Sequence, residues 1–150
     1  MTPLSRHPSA KISAVVADVD GTLLTDDKIL TPGTRAATAE LHAQGIIFAI
    51  VSSRPPRGMR MLLKPLGITT PICGFNGGTI VTPDLAVITE HRLPPDVARR
   101  AVDLLESQDV QAWVFSGQDW LLRDTKGPYV GFEEQTVASD QRSSRVSSTS

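Results

Sequence analysis

The chain has 150 residues, of which 40% are hydrophobic and 21% charged, and its formal net charge is −1. This composition excludes a wholly disordered chain, and the balanced charge argues against a nucleic-acid partner that depends on a basic surface. The single cysteine, Cys73, excludes an intrachain disulfide and a multi-cysteine zinc site.

The N-terminal residues 1–11 are a polar leader with no apolar segment typical of a secretory signal. The longest apolar run, residues 46–51, is too short to span a bilayer. We therefore expect a cytoplasmic protein without a membrane partner.

The first half of the chain alternates predicted strands and helices. Residues 12–17 are an apolar run stopped by turn residues, which is typical of a buried parallel strand. Thr31 and Pro32 are predicted to begin a helix as its N-cap and first residue. The next predicted elements are a strand at 46–51, a helix from about 57 to 65 and a strand at 71–75. This order predicts an α/β fold with a doubly wound parallel sheet over residues 12–82.

The pattern changes after this predicted sheet. Residues 87–91 are a further predicted strand, a helix is predicted from about 95 to 107, and two apolar arms flank 116–119 as a β-hairpin. We expect residues 83–135 to form part of an α+β module. The serine- and arginine-rich tail, 136–150, is predicted to be disordered.

Two aspartates follow the first predicted strand, in the run Asp18-Val19-Asp20-Gly21-Thr22. Ligands of open α/β sheets bind at this carboxyl edge. Close carboxylates repel each other, so both ionise readily only beside a cation, for which Mg²⁺ is suited. One carboxylate can attack phosphorus while the other acts as general acid and base. Gly21 lets backbone N–H groups approach a phosphate oxygen; the alternative interpretation is a solvated acidic turn.

Two further polar segments follow the second and third predicted strands. Ser52-Ser53-Arg54-Pro55 offers a hydroxyl and a guanidinium, which together can bind phosphate oxygens. Taken alone, Ser52 is better interpreted as an ordinary residue at a strand end. Asn76-Gly77-Gly78 is either a simple turn or a substrate contact.

The run from Asp18 to Leu24 resembles the first motif of the haloacid dehalogenase-like (HAD) phosphatases. The chain is similar to their Cof-type branch, whose cap domain is inserted after the third strand of a Rossmann-like core. The resemblance implies that Asp18 is the phosphoryl-accepting nucleophile and that Asp20 is the general acid and base. It also implies an Mg²⁺ site formed by the Asp18 carboxylate and the Asp20 backbone carbonyl. It also implies small phosphorylated metabolites, such as sugar phosphates, as substrates.

The later segments resemble the same family more loosely. Ser52 falls on the phosphate-binding hydroxyl, Arg54 on a residue that faces the substrate phosphate or leaving group, and Asn76 on an Asn-Gly turn that leads into the cap. Ser53 stands where the family usually has glycine.

Two motifs of the family pattern, a lysine and an acidic pair, lie after the cap and are not matched in this chain. Lys64 and Lys126 are out of the family's order. We therefore expect the N-terminal part of a HAD core with part of its cap, truncated within the cap. Two alternatives stay open: a non-catalytic remnant or interaction module with this fold, and a receiver-type phosphoacceptor domain, whose acceptor normally follows a later strand.

Overall fold

The computed structural model describes residues 11–117, 119–137 and 143–144 of the chain. Nearly all of the predicted leader and most of the predicted disordered tail lie outside these residues. Within the described ranges, no helix combines the length and the apolar character that crossing a membrane requires.

Three parallel strands form one side of the main sheet. They are β1 (Ala14–Asp18), β2 (Ile47–Val51) and β3 (Ile72–Gly74). Asp18 pairs with Val51, and Val51 pairs with Cys73. The carboxyl ends of these strands therefore meet at one edge, where each of the three predicted polar segments begins. The predicted parallel order of these strands is confirmed.

The helices between these strands differ in regularity. In α1 (Pro32–Ala43), the Thr31 hydroxyl accepts a hydrogen bond from the Thr34 N–H at 3.1 Å, and proline occupies the first turn, as predicted. The helix predicted at about 57–65 is instead a 3₁₀ turn, Pro56–Met59, continued by the short α2, Arg60–Leu63. Prolines at both ends of this segment limit its regular helix.

The main sheet is mixed rather than wholly parallel. β4 (Thr79–Val81) pairs antiparallel with β3, and β5 (Val87–Glu90) pairs antiparallel with β4. The strand order is β1-β2-β3-β4-β5. Only a few residues connect these last strands, and a parallel crossover needs about a dozen or more, so antiparallel pairing is the available solution. One prediction is corrected, because β5 joins the main sheet rather than the second module. The strand β4 was not predicted.

A smaller sheet follows α3 (Pro95–Glu106). The predicted hairpin is present as β6 (Val114–Ser116) and β7 (Asp119–Leu121). β8 (Ser143–Ser144) pairs in parallel with β7, so the prediction of disorder is wrong at these residues. Backbone pairing needs no apolar side chain, which is why a composition argument missed this strand.

A fourth helix, α4 (Val130–Val137), was not predicted and extends two residues into the predicted tail. Its Val130 packs with Trp120 and Leu122 in a small cluster that also includes Trp113. The two tryptophan rings meet edge to face, with centroids 5.2 Å apart. Both tryptophans therefore have a structural role in this module.

The main core includes a residue of the acidic motif, Val19. It is formed by buried apolar side chains from the residue after β1 and from β2, the 3₁₀ turn, α2, β3 and β4: Val19, Phe48, Ile50, Met59, Leu62, Ile72 and Val81. Because Val19 is fully buried, it fixes the chain between Asp18 and Asp20. The core thus positions the acidic motif directly.

Candidate active site

The loop after β1 is held by hydrogen bonds to one backbone carbonyl group, that of Val19. The Val19 oxygen accepts hydrogen bonds from the N–H groups of Leu23 and Leu24, each at 3.0 Å. Gly21 has a φ of +73°, a conformation that residues with a Cβ rarely adopt. Val19 is fully buried, whereas Asp18 is exposed and Asp20 partly exposed, so the two aspartates lie on either side of a core residue.

Asp20 and Arg54 form the central contact of the site. The Arg54 Nε donates to Asp20 Oδ2 at 2.7 Å, and a terminal nitrogen of Arg54 donates to Oδ1 at 2.7 Å. This two-bond geometry is the strongest arginine–carboxylate arrangement. The Arg54 side chain is only 2% exposed, against 27% for Asp20. The other terminal nitrogen of Arg54 reaches the Gly58 carbonyl at 3.3 Å, so the 3₁₀ turn holds the guanidinium from behind.

Lys28 is a second cation at Asp20 and was missed from the sequence. Its Nζ lies 2.8 Å from Asp20 Oδ1, and the Phe132 ring of α4 lies 5.8 Å from the same Nζ. The sole sequence signal for Lys28 was its place in the loop after the acidic motif. Nothing in the sequence indicated that α4 would come close to this loop.

The charged neighbours determine which form of Asp20 is present. Hydrogen bonds from Arg54 are the main reason that the pKa of Asp20 falls from its ordinary 3.8 to about 2; Lys28 contributes in the same direction, and partial burial opposes both. Burial raises the pKa of Glu133 on α4, and the charges of Arg54, Asp20 and Lys28 also act on it. Asp20 is therefore a carboxylate at neutral pH, the form of a general base.

Ser52 is placed differently from Arg54. It is 1% exposed, and its hydroxyl oxygen accepts a hydrogen bond from the Arg54 N–H at 3.2 Å. The Ser52 carbonyl accepts from the Asn76 N–H at 2.9 Å, and the Arg54 carbonyl accepts from Phe75 at 3.0 Å. Ser52 thus orders the loop that carries Arg54, and these bonds place the exposed Asn76 at the same sheet edge. The Ser52 hydroxyl is not at the surface.

The two predicted metal ligands differ in availability. Asp18 is exposed, and its carboxylate has no hydrogen bond or ion pair among the described residues, whereas the Asp20 carboxylate is engaged by two cations. The described part of the chain contains no group of three or more His, Cys, Asp or Glu side chains that could hold a metal ion. Mg²⁺ commonly keeps several waters and one or two carboxylate ligands. Asp18 therefore fits such an ion as a single carboxylate ligand.

Comparison with known proteins extends these observations. The sequence profile of a family described as haloacid dehalogenase-like hydrolases matches residues 15–149. The chain is 36% identical over 98 residues to the 5-amino-6-(5-phospho-D-ribitylamino)uracil phosphatase YitU of Bacillus subtilis, covering 64% of this chain and 36% of that protein. It is 29% identical over 104 residues to the HMP-PP phosphatase of Cronobacter sakazakii, covering 69% of this chain and 38% of that protein.

A solved structure has the same fold. The haloacid dehalogenase-like hydrolase from Bacteroides thetaiotaomicron superposes with a TM-score of 0.76 at 24% identity, covering 89% of this chain and 52% of that one. The chain thus spans from about a third to about half of the length of these proteins.

Proposed function

The chain belongs to the haloacid dehalogenase-like hydrolase family, and we propose that its site hydrolyses phosphate monoesters of small metabolites. The observation that carries the proposal is the contrast between two neighbouring carboxylates. Asp18 is exposed at the end of β1, whereas Asp20 is fixed by Arg54 and Lys28. Two carboxylates in different environments can take different catalytic roles. The named phosphatase relatives support the reaction class.

In the proposed first step, a carboxylate oxygen of Asp18 attacks the phosphorus atom. A bond forms from Asp18 to phosphorus, the bond from phosphorus to the ester oxygen breaks, and the leaving group departs as the alcohol after taking a proton from solvent water. Most of the catalysis of such a transfer comes from positioning and charge stabilisation. Arg54, fixed by Asp20 and by the Gly58 carbonyl, contributes positive charge at this edge of the sheet.

In the proposed second step, water attacks the aspartyl phosphate and releases inorganic phosphate. Asp20, present as the carboxylate, accepts a proton from this water and then releases it to the solvent, which balances the proton taken by the alcohol in the first step. The Asp18 carboxylate is then regenerated. Mg²⁺, when bound, would offset negative charge on the phosphoryl oxygens, and Asp18 would hold it.

The experiment measures hydrolysis of p-nitrophenyl phosphate by the 150-residue chain, with and without Mg²⁺. We expect Mg²⁺-dependent release of nitrophenol that is lost in Asp18→Asn. Asp26→Asn is the matched control, because Asp26 is an exposed aspartate of the following loop and should leave the rate unchanged. A folded wild-type chain with no turnover and no Mg²⁺-dependent rise in Tm would contradict the proposal and favour the non-catalytic alternative.

A further inference from the structure

The loop that carries Lys28 holds this residue in a restricted conformation. Lys28 has a φ of +61°, a region that costs free energy for a residue with a Cβ and persists where the surroundings impose it. The Lys28 N–H donates to the Thr25 carbonyl at 2.9 Å, and the Ile29 N–H donates to the Thr25 hydroxyl at 3.2 Å. These hydrogen bonds fix the backbone of Lys28 and therefore the position of its Cβ.

The Lys28 ammonium group contacts Asp20 but uses only one of its hydrogen-bond donors there. One hydrogen bond joins it to Asp20 Oδ1, at 2.8 Å. An ammonium carries three N–H donors, and the Lys28 side chain remains 30% exposed. The Phe132 ring, 5.8 Å from Nζ, borders it on the α4 side. Among the described contacts of Lys28, no second hydrogen-bond acceptor engages the ammonium, so it has donors available for a ligand.

The local charges show why a ligand would need this group. Arg54 already binds both oxygens of Asp20, so Lys28 is not required to neutralise that carboxylate. A phosphate monoester at Asp18 would bring up to two further negative charges beside Asp18 and Asp20. In the described part of the chain, Arg54 and Lys28 are the cations in contact with Asp20. Lys28 is the more exposed of the two, at 30% against 2%.

We propose that Lys28 is a phosphate-contacting residue of this site, with one N–H on Asp20 and another donated to a phosphoryl oxygen. A catalytic role for Lys28 rests on the proposed function, but the contact between Lys28 and phosphate can be tested by binding alone, without turnover. Lys28 would supply an ammonium group to this site from the loop after β1.

The test is a titration of the 150-residue chain with inorganic phosphate, followed by calorimetry, for the wild type and three variants. Lys28→Met keeps the length of the side chain and removes the charge, whereas Lys28→Arg keeps the charge. All three residues carry a Cβ, so the backbone cost at φ +61° is the same. Lys64→Met removes an exposed lysine at the end of α2 and is the control.

We expect Lys28→Met to weaken phosphate binding by roughly tenfold to a hundredfold, the range for loss of a hydrogen bond to a charged group. Lys28→Arg should restore most of the affinity, and Lys64→Met should match the wild type. Circular dichroism confirms that each variant is folded. If Lys28→Met binds phosphate as the wild type does, or if the wild type binds none, the proposal is wrong.

Turnover separates this inference from the proposed function. For p-nitrophenyl phosphate, Lys28→Met should raise KM by a similar factor. A wild type that binds phosphate through Lys28 but hydrolyses no ester would contradict the proposed function and leave the phosphate contact in place. If the wild type hydrolyses the ester and Lys28→Met leaves KM unchanged, the proposed function stands and the phosphate contact of Lys28 is contradicted.

Discussion

Replacing Asp20 by asparagine should destabilise the fold, because Asp20 neutralises a buried arginine. The Arg54 side chain is 2% exposed, and two of its nitrogens depend on the Asp20 carboxylate. Removing one partner of a buried ion pair typically costs about 3–5 kcal/mol. Asp20 is 27% exposed, an asparagine oxygen can accept one bond, and Arg54 keeps the Gly58 carbonyl. We therefore expect a loss of about 2–3 kcal/mol.

The assay is urea unfolding of the wild type, Asp20→Asn and Asp18→Asn. A loss of this size should lower the midpoint by about 1–2 M urea, for an m-value near 1–3 kcal/mol/M. Asp18→Asn is the matched control, since it is the same change two positions away at an exposed residue without a described ion pair. Its stability should change by less than about 0.5 kcal/mol. Equal midpoints for the two variants would contradict a stabilising ion pair between Asp20 and Arg54.

Three more predictions concern stability. The pKa of Asp20 is lower in the folded chain, about 2 against an ordinary 3.8. The ionised Asp20 carboxylate therefore contributes its full stabilisation above pH 3.8, and this contribution is lost as the pH falls through the folded pKa of about 2. When the unfolding free energy is measured against pH, the wild type should show this loss and Asp20→Asn should not. Gly74→Ala would bring a Cβ to 2.7 Å from the Pro56 Cδ and 3.0 Å from the Arg54 carbonyl. It should cost about 1–3 kcal/mol in urea unfolding, whereas Gly33→Ala, whose nearest atom is 3.7 Å away, should be neutral or stabilising; equal losses would contradict the packing described. Thr31→Ala removes the N-cap hydrogen bond to Thr34 and should lower Tm through a loss of about 1 kcal/mol, and an unchanged Tm would show that the cap does not contribute.

Local signals predicted the first part of the fold well. Thr31 and Pro32 mark the start of α1, because capping depends on neighbouring residues alone. The mixed part of the sheet was harder, since β4 has three residues and β5 four. Strands this short carry little periodicity, and their sheet partner is decided by tertiary packing.

The site was predictable at the level of strand ends. Asp20 and Arg54 are 34 positions apart, and both follow parallel strands, which is why they meet at one edge. The ion pair itself was not foreseen, because it depends on the rotamers of both side chains. Lys28 depends in addition on a turn with positive φ, and α4 has only a weak apolar stripe that sequence periodicity does not separate from a loop.

The central claim is that Asp18 accepts a phosphoryl group. The most direct measurement is mass spectrometry of the peptide that contains Asp18, after the chain has been mixed with p-nitrophenyl phosphate and Mg²⁺ and quenched in acid. We predict the mass gain of one phosphoryl group at Asp18, absent in Asp18→Asn and accumulating in Asp20→Asn, where the proposed base for the second step is missing. A chain that releases phosphate without modification of this peptide in either the wild type or Asp20→Asn would contradict the account.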